Sequence, residues 1–284
     1  MGNILIKKTP AKINLTLDVT GKLENGYHTL SMIMQSIDVC DELSFEKTAD
    51  ETILFSMNKD LPDKIPAEKN LVYKAAKLMK DTFKIDGGFK IHLTKNIPAA
   101  GSSDCAATLI GINELCGLGF DIEKLCEIGV KLGADVPFCI RKGTMLAEGI
   151  GEILTPLTPL TGIPVLLIKP NISISTPYVY KHLKLNKLDY HPDNKAVISY
   201  IKDNNIKKIA ASLSNVLETV TIPENPIIAE LKRYLTESGA IGSLMSGSGP
   251  TTFGIFENME TAKKAYEKAK ADYPDFDVVL CQTM

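Results

Sequence analysis

The sequence predicts an α+β chain of two domains, on three observations. Residues 12–19 alternate strictly, with Ile13, Leu15, Leu17 and Val19 apolar and Lys12, Asn14, Thr16 and Asp18 polar, the period of a half-buried strand. The β-like run 89–93 leads through a short loop into an alanine-rich segment. There Cys105, Leu109, Ile112 and Cys116 recur at helical spacing. In the last third, strands and helices alternate in the manner of a ferredoxin-like α+β domain. Glycines at 143, 149 and 151 and prolines at 156, 159 and 164 crowd the chain between, placing a boundary that gives domains 1–158 and 159–284.

The bulk composition narrows the function classes. The 284 residues are 44% hydrophobic and 23% charged, enough apolar side chain for a real core in each domain. A net charge of −2 with dispersed lysines and carboxylates argues against a nucleic-acid or membrane surface as partner. No apolar run approaches the length of a membrane span, and the residues after Met1 lack the apolar core of a signal peptide. Six cysteines without a C-x-x-C pair read as buried free thiols, so the expected compartment is the cytoplasm.

Taken in order, residues 3–8 and 12–19 read as two strands broken by Pro10-Ala11. Asn25-Gly26 marks a turn, followed at once by Tyr27 and His28. A lone histidine there is more often structural than functional. Strands over 29–39 and 42–47 and an excursion near 59–66 precede a helix at 70–84. Its cap is Asn70, and its inner stripe is Leu71, Ala75, Leu78, Met79 and Thr82 or Phe83. The helix after Gly101-Ser102-Ser103-Asp104 closes at Gly117. Its small, hydroxyl-bearing first turn suits an anion, because free N–H groups and the positive dipole end point outward there. The same residues serve equally as a plain helix cap. Asp121 caps a further helix with Ile122, Leu125, Cys126 and Leu132 inward, ending at Gly133, and Asp135 follows in Gly133-Ala134-Asp135-Val136-Pro137-Phe138. A strand at 165–168, helical segments near 193–203, 206–218 and 226–238, and a hairpin around Gly247-Ser248-Gly249 come next. A helix at 260–272 and a strand at 276–282 finish the chain.

Two small-residue loops, a lysine and a carboxylate are the parts that phosphoryl transfer to an alcohol requires. The G-x-x-x-x-G-K-[ST] loop and the protein-kinase signatures are absent from the sequence. Residues 98–107, however, resemble the phosphate loop of the GHMP kinases, residues 246–251 their C-terminal glycine motif, and residues 10–15 their first motif. Asn25-Gly26-Tyr27-His28-Thr29-Leu30 and residues 133–138 resemble one branch of that family. The likeness runs from Lys8 to about Thr252.

The resemblance implies a ribosomal-S5-domain-2-like N-terminal domain beside the ferredoxin-like one. It implies transfer of phosphate from ATP, with Mg²⁺, to the 2-hydroxyl of a methylerythritol linked to cytidine diphosphate, a step of non-mevalonate isoprenoid synthesis. By position, Asp135 would accept or orient the hydroxyl proton and Lys12 would neutralise the transferring phosphoryl group. Asn14 would touch the acceptor near the reacting centre. Tyr27, His28, Tyr180 and Thr176 would receive the cytosine end. Asn70 and Lys95 would lie near the adenosine. Pro98, Ala99, Ala100, Gly101, Ser102 and Ser103 would cradle the ATP phosphates, with Gly247 and Ser248 at the diphosphate. The protein is expected as a monomer or homodimer. The family pattern Pro-x-x-x-Gly-Leu-x-x-Gly-Ser-Ser is longer than the loop here, where three residues separate Pro98 from Ser102. Fewer amides then face the triphosphate, which would weaken ATP binding and turnover. The rivals are another GHMP kinase, acting on mevalonate derivatives, homoserine or a sugar, and a non-catalytic binding protein of the same fold.

Overall fold

The computed structural model describes residues 4–58, 66–98 and 101–284; most of the expected 59–66 excursion lies outside the described residues. The chain divides into two compact units. One comprises the segment ending at Ala11 together with Val39–Lys142, the other Lys12–Asp38 together with Gly143–Met284. Two long strands, β1 (Leu5–Lys22) and β2 (His28–Thr48), contribute residues to both. Each was expected as two. Pro10 does not break β1, because its fixed φ suits an extended chain and the residue is buried.

In the first unit the later part of β2 pairs antiparallel with the strand at 88–94, Leu43 facing Leu93 and Phe45 facing Ile91. Here β3 (Ile53–Met57), which the sequence did not announce, runs parallel to that strand. The helix α1 (Leu71–Phe83) is capped as expected, the Asn70 side chain accepting from the Val72 N–H at 2.8 Å. Its buried face is Val72, Ala75, Ala76 and Met79, so the helix is rotated slightly from the expected stripe. Strand β4 (Gly88–Thr94) then leads to α2 (Ser102–Leu115), which is buried on most sides. Gly111 is required there: a Cβ would stand 2.7 Å from the Phe45 ring. Gly117, at φ +61°, ends the helix in the left-handed region as its sequence position predicts. Asp121 caps α3 (Ile122–Gly129), accepting from the Lys124 N–H. That helix stops earlier than expected, Ile122 is exposed, and α4 (Val136–Arg141) begins immediately after Asp135.

In the second unit the early part of β2 pairs with β5 (Thr144–Gly149), and β5 with β6 (Ile153–Pro156). This hairpin occupies the glycine- and proline-rich stretch read as a boundary. The ferredoxin-like core follows. Its elements are β7 (Pro164–Lys169), α5 (Thr176–His182), α6 (Asn194–Lys202), α7 (Ile206–Ala211), the two-residue β8 (Ser214–Asn215), α8 (Glu218–Glu224) and α9 (Ile227–Glu237). It closes with β9 (Gly242–Met245), β10 (Thr252–Ile255), α10 (Met259–Asp272) and β11 (Asp277–Gln282). Four of these strands make an antiparallel sheet in the order β11-β7-β10-β9. Leu166, Ile168, Leu231, Leu235 and Phe256 fill its core against Ala262, Ala265 and Ala269. Burying each large apolar side chain contributes roughly 1.5–3 kcal/mol, and the alanines let α10 lie close to the sheet. All six cysteines are free thiols, and among the described residues no helix is long and apolar enough to cross a membrane.

Candidate active site

The first unit gathers most of the residues expected around ATP. Gly101 occupies the N-cap position of α2, so no side chain caps that helix. Ser102 and Ser103 are its first two residues rather than its cap, which leaves the opening N–H groups available to an anion. The Leu71 side chain, next to Asn70, lies against Gly101: a Cβ there would be 3.3 Å from Leu71 Cδ1. A Cβ on Gly133 would stand 3.9 Å from Ser102 Oγ, so the turn bearing Asp135 abuts the start of α2. Thr9 Oγ1 donates to the Ser103 carbonyl at 2.9 Å. Pro98 is half-buried, and Ala99 and Ala100 lie outside the described residues.

Lys95 sits within a buried charge cluster. Its Nζ donates to Asp41 Oδ2 at 2.5 Å and to Asp104 Oδ2 at 2.9 Å. Asp41 Oδ1 also accepts the N–H groups of Asn96 and Ile97, at 2.6 and 2.7 Å. The loop is thereby fastened on its strand side by Asp41 and on its helix side by Asp104. Asp104 Oδ1 is buried and has no hydrogen-bond partner among the described residues. Burial pushes the Asp104 carboxyl up to about 7, against the pull of Lys95 and with a further push from neighbouring Asp41. Neither carboxylate was foreseen as part of the site. Asp41 lies 54 residues from Lys95 and falls where the sequence suggested a gap between strands, and Asp104, nine residues on, reads in the sequence as part of a helix cap.

The second unit gathers the expected acceptor-side residues. Strand alternation puts Lys12 and Asn14 on one face, where Lys12 Nζ donates to Asn14 Oδ1 at 2.8 Å. Asn14 in turn donates to Met32 Sδ at 3.3 Å. Gly247, at φ +59°, lies beside them: a Cβ there would be 3.8 Å from both Lys12 Nζ and Asn14 Oδ1. Thr176 Oγ1 and Ser248 Oγ share a hydrogen bond of 2.8 Å.

An aromatic pair includes Tyr180, one turn after Thr176 on α5. The rings of His28 and Tyr180 have centroids 5.3 Å apart and planes inclined at 32°. They touch each other, since a planar base between them would need about 7 Å, two contact distances. Burial, then the nearby Lys22 charge, lowers the His28 pKa. Tyr27 is exposed, its N–H donating to Asn25 Oδ1 in the turn. The polar row continues along β1, Thr16 Oγ1 donating to Asn194 Oδ1 at 2.5 Å and Asp18 Oδ1 lying 2.8 Å from His191 Nδ1. Sequence reasoning had no signal for Asn194 or His191.

Comparison with known proteins adds an independent line. Residues 70–143 match the GHMP kinases N terminal domain and residues 197–275 the GHMP kinases C terminal family. A Lachnoclostridium phytofermentans protein named 4-diphosphocytidyl-2-C-methyl-D-erythritol kinase is 46% identical over 274 residues, covering 94% of this chain and 93% of that protein. The Acetivibrio thermocellus protein of the same name is 47% identical over 268 residues, covering 93% of this chain and 94% of its own length. A crystal structure of 4-(cytidine 5'-diphospho)-2C-methyl-D-erythritol kinase matches with a TM-score of 0.82 at 28% identity, covering 98% of this chain and 99% of that one.

Proposed function

The chain belongs to the GHMP kinases and, within them, to the 4-diphosphocytidyl-2-C-methyl-D-erythritol kinase family, and from that premise we propose that it phosphorylates the 2-hydroxyl of the methylerythritol moiety of that compound with ATP. It is a small-molecule kinase. The observation that carries the acceptor assignment is the joining of Lys12, Asn14 and Gly247 in one constellation, with the His28–Tyr180 pair in the same unit. A cation, an amide and a glycine turn suit a phosphoryl group, and paired rings suit a flat base.

Each residue then has a physical task. The uncapped start of α2 and the Ser102 and Ser103 hydroxyls bind and orient the ATP phosphates. The Lys12 ammonium, held by Asn14, offsets the charge that spreads over the transferring oxygens. Asp135 orients the acceptor hydroxyl and takes its proton. The Gly247 turn brings backbone close to the phosphate, where a side chain would intrude. The outer faces of the touching His28 and Tyr180 rings take the cytosine, and its binding energy is used to place the distant hydroxyl. Magnesium prefers hard oxygen donors and takes few protein ligands beside substrate phosphates. The serine hydroxyls and the Asp135 carboxylate are donors of that kind. When bound, the ion supplies further charge neutralisation at the phosphates.

Coupled ADP release with the cytidyl substrate, set against mevalonate, homoserine and galactose, tests the assignment. Turnover confined to the cytidyl compound is expected. Faster turnover of any other alcohol would overturn it.

A further inference from the structure

Asn215 belongs to β8, which pairs in parallel with β1, Leu17 opposite Asn215. The side chain is fully buried, and each of its polar atoms is used. Nδ2 donates to the carbonyls of Met245 and Gly247, both at 2.8 Å, and Oδ1 accepts the Leu217 N–H at 3.0 Å. Three residues on, Glu218 Oε1 accepts the Met245 N–H at 2.9 Å while Lys232 binds its other oxygen at 2.6 Å. Thr221 Oγ1 donates to the Ser248 carbonyl at 3.2 Å. A single short segment therefore grips the turn between β9 and β10 at Met245, Gly247 and Ser248. The turn's own bonds, Ser246 N–H to the Thr251 carbonyl at 2.9 Å and Gly249 N–H to the Ser246 carbonyl at 3.1 Å, complete its frame.

We propose that Asn215, seconded by Glu218 and Thr221, is a positioning residue for phosphoryl transfer, fixing the glycine turn against the strand that carries Lys12 and Asn14. The inference rests on the kinase reading above. Backbone dipoles stabilise developing charge only when they are held in place before the reaction. The task needs two donors and one acceptor on a single planar group, which asparagine supplies. Serine offers one donor, and the aspartate carboxylate none. Because β8 pairs with β1, the same residue links the turn to the register of the catalytic strand.

Three variants test this: Asn215→Ser, Asn215→Asp and the isosteric Thr221→Val. For the Asn215 variants kcat for ADP release should fall on the order of a hundredfold, the loss that a misplacement of about 1 Å can produce. KM for the cytidyl substrate should rise far less than kcat falls, since Asn215 itself meets no substrate and the turn's dipoles act chiefly on the charge developing in the transition state. Amide hydrogen exchange over 245–251 should quicken about tenfold while the other strands keep their protection. Combining Asn215→Ser with Ser248→Ala should give less than the product of the two single effects. Thr221→Val should reduce kcat several-fold, and it keeps the test decisive if an Asn215 variant fails to fold. Faster exchange with unchanged kcat would make Asn215 merely structural. Unchanged exchange in a folded variant would remove the brace. A wild-type protein that releases no ADP would overturn the kinase reading alone, and exchange would still decide whether the brace exists.

Discussion

Replacing Asp104 by asparagine should stabilise the protein at pH 8 and leave it nearly unchanged at pH 4. Asp104 is 2% exposed, one carboxyl oxygen lies 2.9 Å from Lys95 Nζ, and the other has no partner among the described residues. Burial raises its pKa from 3.8 to about 7. The folded protein therefore holds a proton that the unfolded chain has already released. Between those values stability falls as pH rises; above about 7 the whole penalty is present, and below 3.8 none of it. Roughly three pH units at 1.36 kcal/mol each amount to about 4 kcal/mol. The asparagine amide carries no charge to desolvate, faces Asp41 with a donor, and leaves Lys95 its bond to Asp41. A gain of about 2–4 kcal/mol at pH 8 is expected. Urea unfolding of both proteins at pH 4, 5, 6, 7 and 8, followed by far-ultraviolet circular dichroism, isolates it, because other titrating groups cancel in the difference. A variant less stable than the parent at pH 8, or a difference that does not vary with pH, would refute the reasoning.

Three other outcomes are expected. Asp135→Ala should lower kcat at least about a thousandfold, within the range for removing a catalytic acid–base group and its orienting effect; full turnover would remove the mechanism. His28→Ala should raise KM for the cytidyl substrate about tenfold, the loss of one ring contact, and leave KM for ATP unchanged, as steady-state kinetics would show. Gly111→Ala should destabilise by about 1–3 kcal/mol, the usual cost of overpacking, because its Cβ would meet the Phe45 ring at 2.7 Å; a neutral thermal shift would count against the close packing of α2.

The sequence displayed what is local and concealed what is distant. Asn70, Asp121 and Gly117 announced helix ends correctly because each acts on backbone within a few residues. The hairpin of β9 and β10 was legible from its glycines, since a tight turn requires them. The edge strand β3 escapes the sequence because it is five residues long and apolar Leu54, 54% exposed, interrupts the alternation of Ile53, Phe55 and Met57. The periodicity of 206–218 predicts one helix, yet the segment breaks into α7, β8 and the start of α8. The cause is tertiary: Asn215 meets carbonyls 30 and 32 residues away, which no local pattern encodes. The site divides in the same way. Lys12 and Asn14 show in strand alternation, and the motif residues show by resemblance. Asp41 and Asp104 emerge only once their bonds to Lys95 are seen.

The mooring of Lys95 by two carboxylates bears on how this enzyme can change over evolutionary time. One anchor holds Asn96 and Ile97, before Pro98, and the other stands after Ser102, so strand and helix are each fixed on their own side of that stretch. Residues can be gained or lost there without displacing strand or helix, at only about 0.6 kcal/mol of closure entropy for each doubling of length. Length drift is thus confined to the span that the proposed function assigns to the ATP phosphates, and under that reading selection can tune the grip while the scaffold around it stays the same.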